Sequence, residues 1–565
     1  MLKRILAGVT LAMVAVLAAA QPSDAKKIPE ASGEAQGGGL SEPTLYEFLL
    51  GEIAVQRGDY KTAAESFLDL AKRTRDPRIA RRAVEVASQG ELTELALQAA
   101  KLWQDIEPQS PAALQVTAAL LIAAKRVDEA EPYLEKLLAA PGVNLSAGYL
   151  QLNRLLAGNP DKAANLRVVR KLAAKHSDLP QAHYAVAQAA AIAGDDGEAL
   201  KAIRRAEEIQ PDWEAAVLFE AQMLQKRSSA DAAKRLGEFV ERYPEAREAR
   251  LGYARALVLD NRLPEARKQF EAVLAANPGN TELVYAVGVL AFQLKEYALA
   301  EENMTKLLGM KYRDPDGVRY ILGQIAEEQK DWPRAIQWYD QIKEGEHAVA
   351  ARLRTANAMA RQGKLDEARA YLHKVAADNP DQEVQVTLAE AQLLRDAKRY
   401  PEAFDFLGAA LKGDPDQPDL LYDYALTAEK VNRMDVLEAS LKELIKVQPD
   451  RAHAYNALGY SLADRNLRLP EAKKLIEKAL ELSPDDSFIV DSLGWVQYRQ
   501  GDLKSAAQTL RRAYDGRPDP EIGAHLGEVL WVMGNRSEAN RVWNESLKNA
   551  PDNETLLKTI QRLRK

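Results

Sequence analysis

The sequence predicts an all-α solenoid, an array of about 14 helix–turn–helix repeats stacked along the chain. Prolines recur in the C-terminal third at intervals of 33 to 35 residues, at Pro380, Pro415, Pro449, Pro484, Pro518 and Pro551. Small and aromatic residues recur at fixed positions between these prolines. Patterns typical of strands are absent from the sequence, so the repeated unit is predicted to be helical.

Length and composition agree with such an array. The chain has 565 residues, of which 47% are apolar, 28% charged and 6% aromatic. A single core stops growing beyond roughly 250–300 residues, so the chain needs several domains or a quasi-one-dimensional stack. The net charge of -7 disfavours binding to a nucleic-acid backbone. The absence of cysteine excludes disulfides, thiolate nucleophiles and Cys-ligated zinc.

The first 25 residues have the pattern of a secretory signal peptide. A basic start at residues 1–4 precedes an apolar run over residues 5–20, with small-residue cleavage patterns at 18–20 and 23–25. A charged start, a short apolar stretch and an A-x-A-like end are typical of such signals. We therefore predict export, to the periplasm if the cell is Gram-negative, and a flexible tether over residues 26–43.

One detail near the cleavage site bears on membrane attachment. Leu17, Ala18 and Ala19 would open a bacterial lipoprotein box if a cysteine followed, but the next residue is Ala20. No thioether-linked lipid can form there, because the chain contains no cysteine. The sequence leaves open whether the exported protein is soluble or associates with the outer membrane.

Two copies of the repeat illustrate the pattern. One contains Leu493, Gly494, Tyr498, Gly501, Asp502, Leu503, Ala506, Leu510, Ala513 and Pro518. The first recognisable copy contains Gly51, Gly58, Asp59, Tyr60, Ala63 and Phe67. This arrangement resembles the tetratricopeptide repeat (TPR), a unit of two helices about 34 residues long. Small residues let the paired helices approach closely, Gly ends the first helix and Pro stops the second.

The resemblance covers most of the chain but varies in strength. Residues 44–250 are predicted to contain one clear TPR and then degenerate TPR-like pairs, because prolines and glycines disturb the spacing there. Residues 251–551 are predicted to form a regular array, and 552–565 a closing helix capped by Asn553 or Asp552. The resemblance further implies a right-handed superhelix whose concave surface is lined mainly by the first helix of each pair.

The sequence lacks the constellations that catalysis requires. None of its six histidines lies three or four residues from another, so the helical His-x-x-x-His metal pair is absent. No nucleophile elbow, phosphate-binding loop or kinase signature occurs. Residues 314–317 resemble only the start of a calcium loop, and a turn between repeats explains them. We predict that the protein is not an enzyme and binds no metal or cofactor.

The concave surface implied by the family resemblance is the predicted binding site. In TPR proteins, positions around the first small residue of each first helix face this surface. The corresponding residues here are Tyr285, Phe292, Tyr320, Gln324, Asn357, Arg361, Tyr460, Trp495, Tyr498, Arg499 and Trp531. Aromatic residues and Arg are enriched in protein-binding hot spots. The alternative for each aromatic residue is packing between repeats.

A second candidate site is a basic cluster near the first repeat. It consists of Arg73, Arg75, Arg78, Arg81 and Arg82. Such a cluster could form a docking patch for an acidic partner or for anionic lipid headgroups. The alternative is an ordinary solvated helix face.

Together these patterns predict a non-catalytic scaffold or adaptor that binds other proteins. The export signal, the residues before Ala20, the opening repeat and the continuous array resemble the periplasmic TPR adaptors of carboxyl-terminal processing proteases in proteobacteria. That resemblance implies two partners, a PDZ-containing Ser–Lys protease and substrates such as peptidoglycan hydrolases. The alternative is a TPR scaffold for export or assembly of an envelope polysaccharide or a pilus.

Overall fold

The computed structural model describes residues 42–378 and 380–564. Those residues contain 31 α-helices, two single-turn 3-10 helices (Ala174–His176 and Pro380–Gln382) and no strand. The predicted all-α fold class is therefore confirmed. The predicted signal peptide and most of the predicted tether lie outside the described residues, and the first helix begins at Glu42.

The chain divides into two compact units, with the boundary between Tyr312 and Arg313. The first unit contains eight helix pairs among its described residues. Its helices are α1 (Glu42–Gln56), α2 (Tyr60–Thr74), α3 (Pro77–Gln89), α4 (Thr93–Ile106), α5 (Pro111–Ala123), α6 (Val127–Leu138), α7 (Leu145–Leu156), α8 (Lys162–Ala173), α9 (Pro180–Ala193), α10 (Asp196–Ile209), α11 (Glu214–Gln225), α12 (Ser229–Arg242), α13 (Arg247–Leu259), α14 (Leu263–Ala276), α15 (Thr281–Gln293) and α16 (Tyr297–Gly309).

The second unit contains seven helix pairs and a single closing helix. Its helices are α17 (Pro315–Glu328), α18 (Trp332–Tyr339), α19 (Ala348–Arg361), α20 (Leu365–Asp378), α21 (Glu383–Asp396), α22 (Tyr400–Ala410), α23 (Pro418–Lys430), α24 (Met434–Val447), α25 (Ala452–Asp464), α26 (Leu469–Leu482), α27 (Ser487–Arg499), α28 (Leu503–Gly516), α29 (Pro520–Val532), α30 (Arg536–Asn549) and α31 (Glu554–Leu563). Odd-numbered helices are called first helices below, and even-numbered ones second helices.

The helix pairs repeat with one period in both units. Successive first helices begin 33 to 35 residues apart, from Glu42 to Glu554. The period also holds between Pro77 and Arg247, where the sequence pattern is weak and predicts degenerate pairs. The structure has fifteen helix pairs, about one more than the sequence predicts. The helices between Pro77 and Arg247 keep the regular period even where the prolines and glycines that mark a repeat are displaced.

Close approach of the paired helices depends on the small residues, as the repeat pattern predicts. A Cβ atom built on Gly494 would lie 2.6 Å from Leu510 Cγ, and one on Gly527 would lie 1.9 Å from Trp543 Nε1. Both distances are shorter than van der Waals contact, so a larger residue would push the helices apart. A large side chain of the second helix fills the space that each glycine leaves.

In most pairs, the turn between the two helices contains a residue in the left-handed region of backbone conformation. Gly501 and Gly534 have φ angles of 87° and 85° at this turn. Other repeats place lysine or asparagine there, such as Lys330 and Asn432 with φ angles of 60° and 57°. A left-handed residue is a common way to end a helix. The turn is therefore preserved where the glycine that marks it in sequence is missing.

Helix α31 closes the second unit. The Asn553 side chain accepts a hydrogen bond from the Leu556 backbone N–H at 2.9 Å and so caps the helix. Leu556 and Ile560 are buried in the same apolar cluster as Val529 of α29. The helix covers an apolar face that would otherwise meet water, as a terminal repeat must.

Candidate protein-binding surface

Nine of the eleven predicted groove residues lie on first helices of the second unit. They are Tyr320, Gln324, Asn357, Arg361, Tyr460, Trp495, Tyr498, Arg499 and Trp531. Helices α17, α19, α21, α23, α25, α27, α29 and α31 are together called the first-helix row. Tyr285 and Phe292 lie on α15 of the first unit.

Every junction along the first-helix row carries a polar contact. The contacts join Arg354 to Glu327, Arg361 to Asp396, Arg395 to Asp423, Ser461 to Glu429, Trp495 to Asp464, His525 to Asp491, and Arg562 to Glu528. Each contact links one first helix to the next, because partners lie about one repeat apart in the chain. These contacts orient the side chains of the row before any partner binds.

One of these contacts orients the predicted residue Tyr320. Arg354 Nε donates a hydrogen bond to the Tyr320 hydroxyl at 2.9 Å, and Arg354 also forms an ion pair with Glu327. Burial raises the pKa of Glu327, and Arg354 partly offsets that effect. Burial by itself would lower the pKa of Arg354, but the Glu327 carboxylate raises it. Tyr320 is therefore half-buried and held in place by a charged neighbour.

A cavity of about 340 Å³ lies beside this contact, between α19 and α21. It is lined by Glu327, Leu353, Arg354, Asn357, Leu372, Ala389, Gln392 and Leu393. An apolar lining with a few polar groups is the usual composition of a recognition pocket. Arg361, one turn beyond Asn357, is exposed and lies 3.5 Å from Asp396. Arg361 is thus the exposed residue among the predicted ones, and the half-buried Asn357 lines the cavity.

Toward the end of the row, aromatic side chains gather around His525. Its ring stacks on Trp495 with centroids 4.1 Å apart, and its Nδ1 lies 2.9 Å from the Asp491 carboxylate. The Tyr460 hydroxyl lies 3.4 Å from His525 Nε2. Burial by itself would lower the pKa of His525, but the Asp491 carboxylate raises it. The cluster joins three successive repeats, on α25, α27 and α29.

The expected groove exposure of Trp495 is wrong, because only 4% of this residue is exposed. Its indole N–H donates to Asp464 at 3.3 Å, and its ring packs between repeats. Tyr498 donates to the buried Glu528 at 3.2 Å. The Arg499 guanidinium lies 5.9 Å from the Trp495 ring centroid and remains half-buried. For Trp495 and Tyr498, the structure therefore favours the alternative prediction, packing between repeats, over exposure on a binding groove.

The remaining predicted aromatic residues are also engaged in packing. Trp531 contacts Trp543 with ring centroids 5.5 Å apart. In the first unit, Tyr285 stacks on Tyr312 at 5.4 Å, and the ring of Phe292 lies 6.3 Å from that of Tyr297. These residues and Gln324 are half-buried, so part of each side chain still reaches the surface.

The basic cluster is not a free positive surface. Arg73 pairs with Glu47, Arg75 with Asp105 at 3.0 Å, Arg78 with Asp76 at 2.6 Å, Arg81 with Glu85 at 3.0 Å, and Arg82 with Glu52 at 2.8 Å. The carboxylates come from α1, α3, α4 and the turn before α3. Neighbouring acidic residues pair with each arginine of the cluster, which favours the alternative of an ordinary solvated helix face, and the basic docking patch stays a prediction.

Sequence patterns alone do not single out Arg354, Arg395 or His525 as part of this surface. The signal that identifies them is a pair of opposite charges on consecutive first helices, about one repeat apart. Arg562 and Glu528, for example, are 34 residues apart. From the sequence alone, each histidine is interpreted separately, as a surface or packing residue. Asp491, 34 residues away, is therefore not identified as the partner of His525.

Two further observations limit the chemistry of the described chain. In residues 42–378 and 380–564, no three His, Asp or Glu side chains are grouped so that they could hold a metal ion. Over the same part of the chain, every helix is too short or too polar to cross a membrane.

Comparison with known proteins agrees with the repeat architecture. A profile of the tetratricopeptide repeat matches residues 224–281, 260–317, 285–351, 353–418 and 465–521. A TPR repeat-containing protein of Pseudomonas aeruginosa is 34% identical over 492 residues, which cover 87% of this chain and 83% of that protein. The cellulose synthase operon protein C of Pseudomonas fluorescens is 24% identical over 50% of this chain and 24% of its own length.

Solved structures with similar helix arrangements include yeast Tom70. It aligns with a TM-score of 0.35 at 16% identity, over 92% of this chain and 95% of that one. Proteins built from this repeat are generally non-catalytic scaffolds that mediate protein–protein interaction. The 34% identity to a TPR protein, sustained over most of both sequences, assigns the chain to the tetratricopeptide repeat family.

Proposed function

We propose that this chain is a non-catalytic adaptor of the bacterial cell envelope. In this role it binds a carboxyl-terminal processing protease and recruits the protease's substrates, such as peptidoglycan hydrolases, so that they are degraded. The proposal places the protein in the periplasm, with outer-membrane association left to experiment. It draws on the export pattern of the first 25 residues and on the similarity to a TPR protein of a Gram-negative bacterium.

The observation that carries the proposal is the first-helix row with its cavity between α19 and α21. The Arg354–Glu327 contact holds one wall of that cavity, while Asn357 and the exposed Arg361 stand beside it. An apolar side chain of a partner could enter the cavity, and the amide of Asn357 could bind the partner's backbone. A pre-oriented surface loses little side-chain entropy on binding.

The array also suggests how an adaptor would act. If one part binds the protease and another binds its substrate, the two are held at high effective concentration without new chemistry. If the adaptor binds the active state of the protease better than its inactive state, it also shifts the protease toward activity.

Reconstituted proteolysis tests this proposal. Adding the purified chain to the protease and a wall-hydrolase substrate should accelerate cleavage, and no acceleration would refute the adaptor role. Asn357→Ala combined with Arg361→Glu should weaken the acceleration, because Asn357 lines the cavity and the exposed Arg361 lies one helical turn away. Arg227→Glu, at an exposed turn of the first unit, is the matched charge control and should leave cleavage unchanged.

The second candidate is a scaffold for export or assembly of an envelope polysaccharide or a pilus. The similarity to a cellulose synthase operon protein C favours it, although the chain spans only 24% of that protein. Affinity purification from envelope extracts discriminates the two candidates. Co-purification of the processing protease supports the adaptor, whereas co-purification of polysaccharide synthase components supports the scaffold.

A further inference from the structure

A second cavity lies in the first unit, between α5, α6 and α7, and has a volume of about 600 Å³. We call it the α6–α7 cavity. Its size is in the range of cavities that enclose small-molecule ligands. Most of its wall is aliphatic and is contributed by Leu134, Leu137, Leu138, Val143, Leu152 and Leu155.

The cavity arises where the connection between two repeats departs from the usual pattern. Residues 139–144 join α6 to α7, and within them Pro141 is followed by Gly142, whose φ angle is 80°. Beside this connection the two helices touch, because a Cβ atom built on Gly148 would lie 2.6 Å from Leu138 Cδ2. Beyond that contact, the α6–α7 cavity separates them.

Contacts with other helices hold α7 and α8 in this position. Lys171 of α8 pairs with Glu131 of α6 at 2.9 Å. The side-chain amide of Asn153, on α7, donates a hydrogen bond to the Ala185 carbonyl of α9 at 2.8 Å. None of these four residues lines the α6–α7 cavity. The cavity walls are therefore fixed by packing elsewhere, and the space between them stays free for a ligand.

The interior of the α6–α7 cavity favours an alkyl chain. Its wall includes Leu134, Leu138 and Leu152, which are 1%, 7% and 1% exposed. The backbone N–H and C=O groups inside an α-helix are already hydrogen-bonded to each other. A peptide inserted there would leave its own amides without partners, which costs free energy, whereas an alkyl chain has no such groups to satisfy.

A positive charge stands at the mouth of this cavity. Arg154 lines the cavity and is exposed, as are Gln115 and Gln151. Within the described part of the chain, no carboxylate pairs with the Arg154 guanidinium, and none lines the α6–α7 cavity. The cavity beside Arg354 differs, because Glu327 in its wall neutralises that arginine. Arg154 is therefore available for a charge-assisted hydrogen bond to the carboxylate of a ligand.

We propose that the α6–α7 cavity binds a free fatty acid, with its alkyl chain among the leucine side chains and its carboxylate on Arg154. The side-chain amides of Gln115 and Gln151 at the mouth are further donors that suit a carboxylate. The C-terminal leucine of a peptide also combines an aliphatic group with a carboxylate, but it is too short to fill about 600 Å³. The site lies in the first unit and is independent of the proposed adaptor role.

Titration calorimetry of the purified chain with sodium octanoate, decanoate and dodecanoate, each below its micelle concentration, tests the ligand class. Binding should saturate at one ligand per chain, and each further buried methylene should strengthen it by up to about fourfold. Dodecanol has the same alkyl chain without the charge and should bind more weakly. Absence of dodecanoate binding would overturn the proposal. Displacement of dodecanoate by a lower concentration of a leucine-terminated pentapeptide would overturn it in favour of a peptide C terminus.

Two substitutions test the location of the site. Arg154→Gln changes an exposed side chain, so helicity by circular dichroism should not change. It should weaken dodecanoate binding roughly 5- to 10-fold and leave dodecanol binding unchanged. Arg242→Gln, at an exposed position on α12 outside the cavity, is the matched charge control and should leave both affinities unchanged.

Leu155→Trp places a larger side chain in the cavity and should weaken binding of both dodecanoate and dodecanol, because it occupies the space of the alkyl chain. If this variant does not fold, the comparison of Arg154→Gln with Arg242→Gln still decides the location. Equal dodecanoate affinity of the parent and Arg154→Gln, or equal weakening by Arg154→Gln and Arg242→Gln, would refute binding at this cavity.

Discussion

The two units share one repeat but differ in the side chains that dominate particular junctions between neighbouring repeats. In the second unit, polar contacts such as Arg354–Glu327 and His525–Asp491 link every pair of consecutive first helices. In the first unit, polar contacts also join first helices, as Arg82 with Glu52 and Asn153 with Gln188 show. Helix α9 adds close packing of small residues, since Ala185 and Ala187 are fully buried and Ala189 is 3% exposed. Small side chains let the backbones approach and gain dispersion contacts, without a buried ion pair at that point.

This difference teaches that the repeat period does not dictate the junction chemistry. Where alanines pack between repeats, the stability of the contact depends on side-chain volume and not on pH. Where a buried ion pair joins repeats, the stability depends on both partners and on their protonation states. Substitutions in the two units should therefore differ in size and in pH dependence. Five of the seven tryptophans lie in the second unit, so fluorescence reports mainly on that unit.

The largest effect is expected for Asp491→Ala in the second unit. Asp491 and His525 are 6% and 7% exposed, and removing one partner leaves the other buried and unpaired. Breaking a buried charge pair costs roughly 3–5 kcal/mol of unfolding free energy. Denaturant unfolding followed by tryptophan fluorescence measures this cost. Asp464→Ala, which alters an exposed acceptor in the same cluster, should cost less.

The cost of Asp491→Ala should also depend on pH. The pKa of His525 is raised above 6.5 in the folded protein, so its pairing stabilises the fold fully below that pH. The stabilisation is lost as pH rises through the raised pKa. The difference between parent and variant should thus shrink at alkaline pH, and a constant difference would contradict the charge-junction interpretation.

A smaller effect is expected for Ala185→Leu in the first unit. Ala185 is fully buried on α9, and extra methyl groups there force neighbouring helices apart. Overpacking of this kind costs typically about 1–3 kcal/mol, independent of pH. Circular-dichroism melts at two pH values measure it. Ala298→Leu, at an exposed position on α16, is the matched control and should be neutral.

The next effect, that of Glu207→Gln, tests a carboxyl group of the first unit whose pKa is raised. Burial, and then the nearby Glu220 carboxylate, raise the pKa of Glu207 from 4.5 to about 7. The folded state therefore binds the Glu207 proton more tightly than the unfolded state does. The contribution of Glu207 to the free energy of unfolding thus falls as pH rises from 4.5 to about 7. Glu207→Gln should remove that slope and stabilise the protein above pH 7.

The expected gain from Glu207→Gln is only about 1 kcal/mol, because the carboxyl is partly exposed to screening solvent. Unfolding curves at pH 5 and pH 8 measure it, and Glu208→Gln is a control at a neighbouring exposed carboxyl that pairs with Arg205. Equal stabilisation by both variants would contradict the role assigned to Glu207.

The smallest effect is expected for Arg78→Ala in the basic cluster. The Arg78 side chain is 83% exposed and pairs with Asp76, so its ion pair is screened by water. The unfolding midpoint should not change measurably, and affinity for anionic lipid vesicles should be as low as that of the parent. Strong salt-dependent vesicle binding by the parent would restore the docking-patch interpretation.

Sequence reasoning predicts the repeat well because its signals are local. Gly494 and Gly527 mark close helix contacts within one unit, and their roles follow from side-chain size alone. Between Pro77 and Arg247 the markers weaken, yet the helix period continues, with left-handed turn residues at Glu91 and Lys125 in place of glycine. The helices are therefore spaced more regularly along the chain than the glycines and prolines that mark the repeat.

The candidate surface was less predictable. Trp495 satisfies the pattern of a groove residue, but His525 from the next repeat stacks on it and removes it from solvent. The cavity beside Asn357 depends on side chains from α17, α19, α20 and α21 together, so no single repeat indicates it.

The sequence by itself determined the helical period, the close-packed positions and the turns marked by glycine, because each depends on residues within one repeat. Only the tertiary structure decided which side chains stay accessible and which charges are neutralised. Arg82 and Glu52, for example, are 30 residues apart in the chain and meet only when α1 docks beside α3. Contacts between repeats are set by helix packing, which residue spacing within one repeat does not encode.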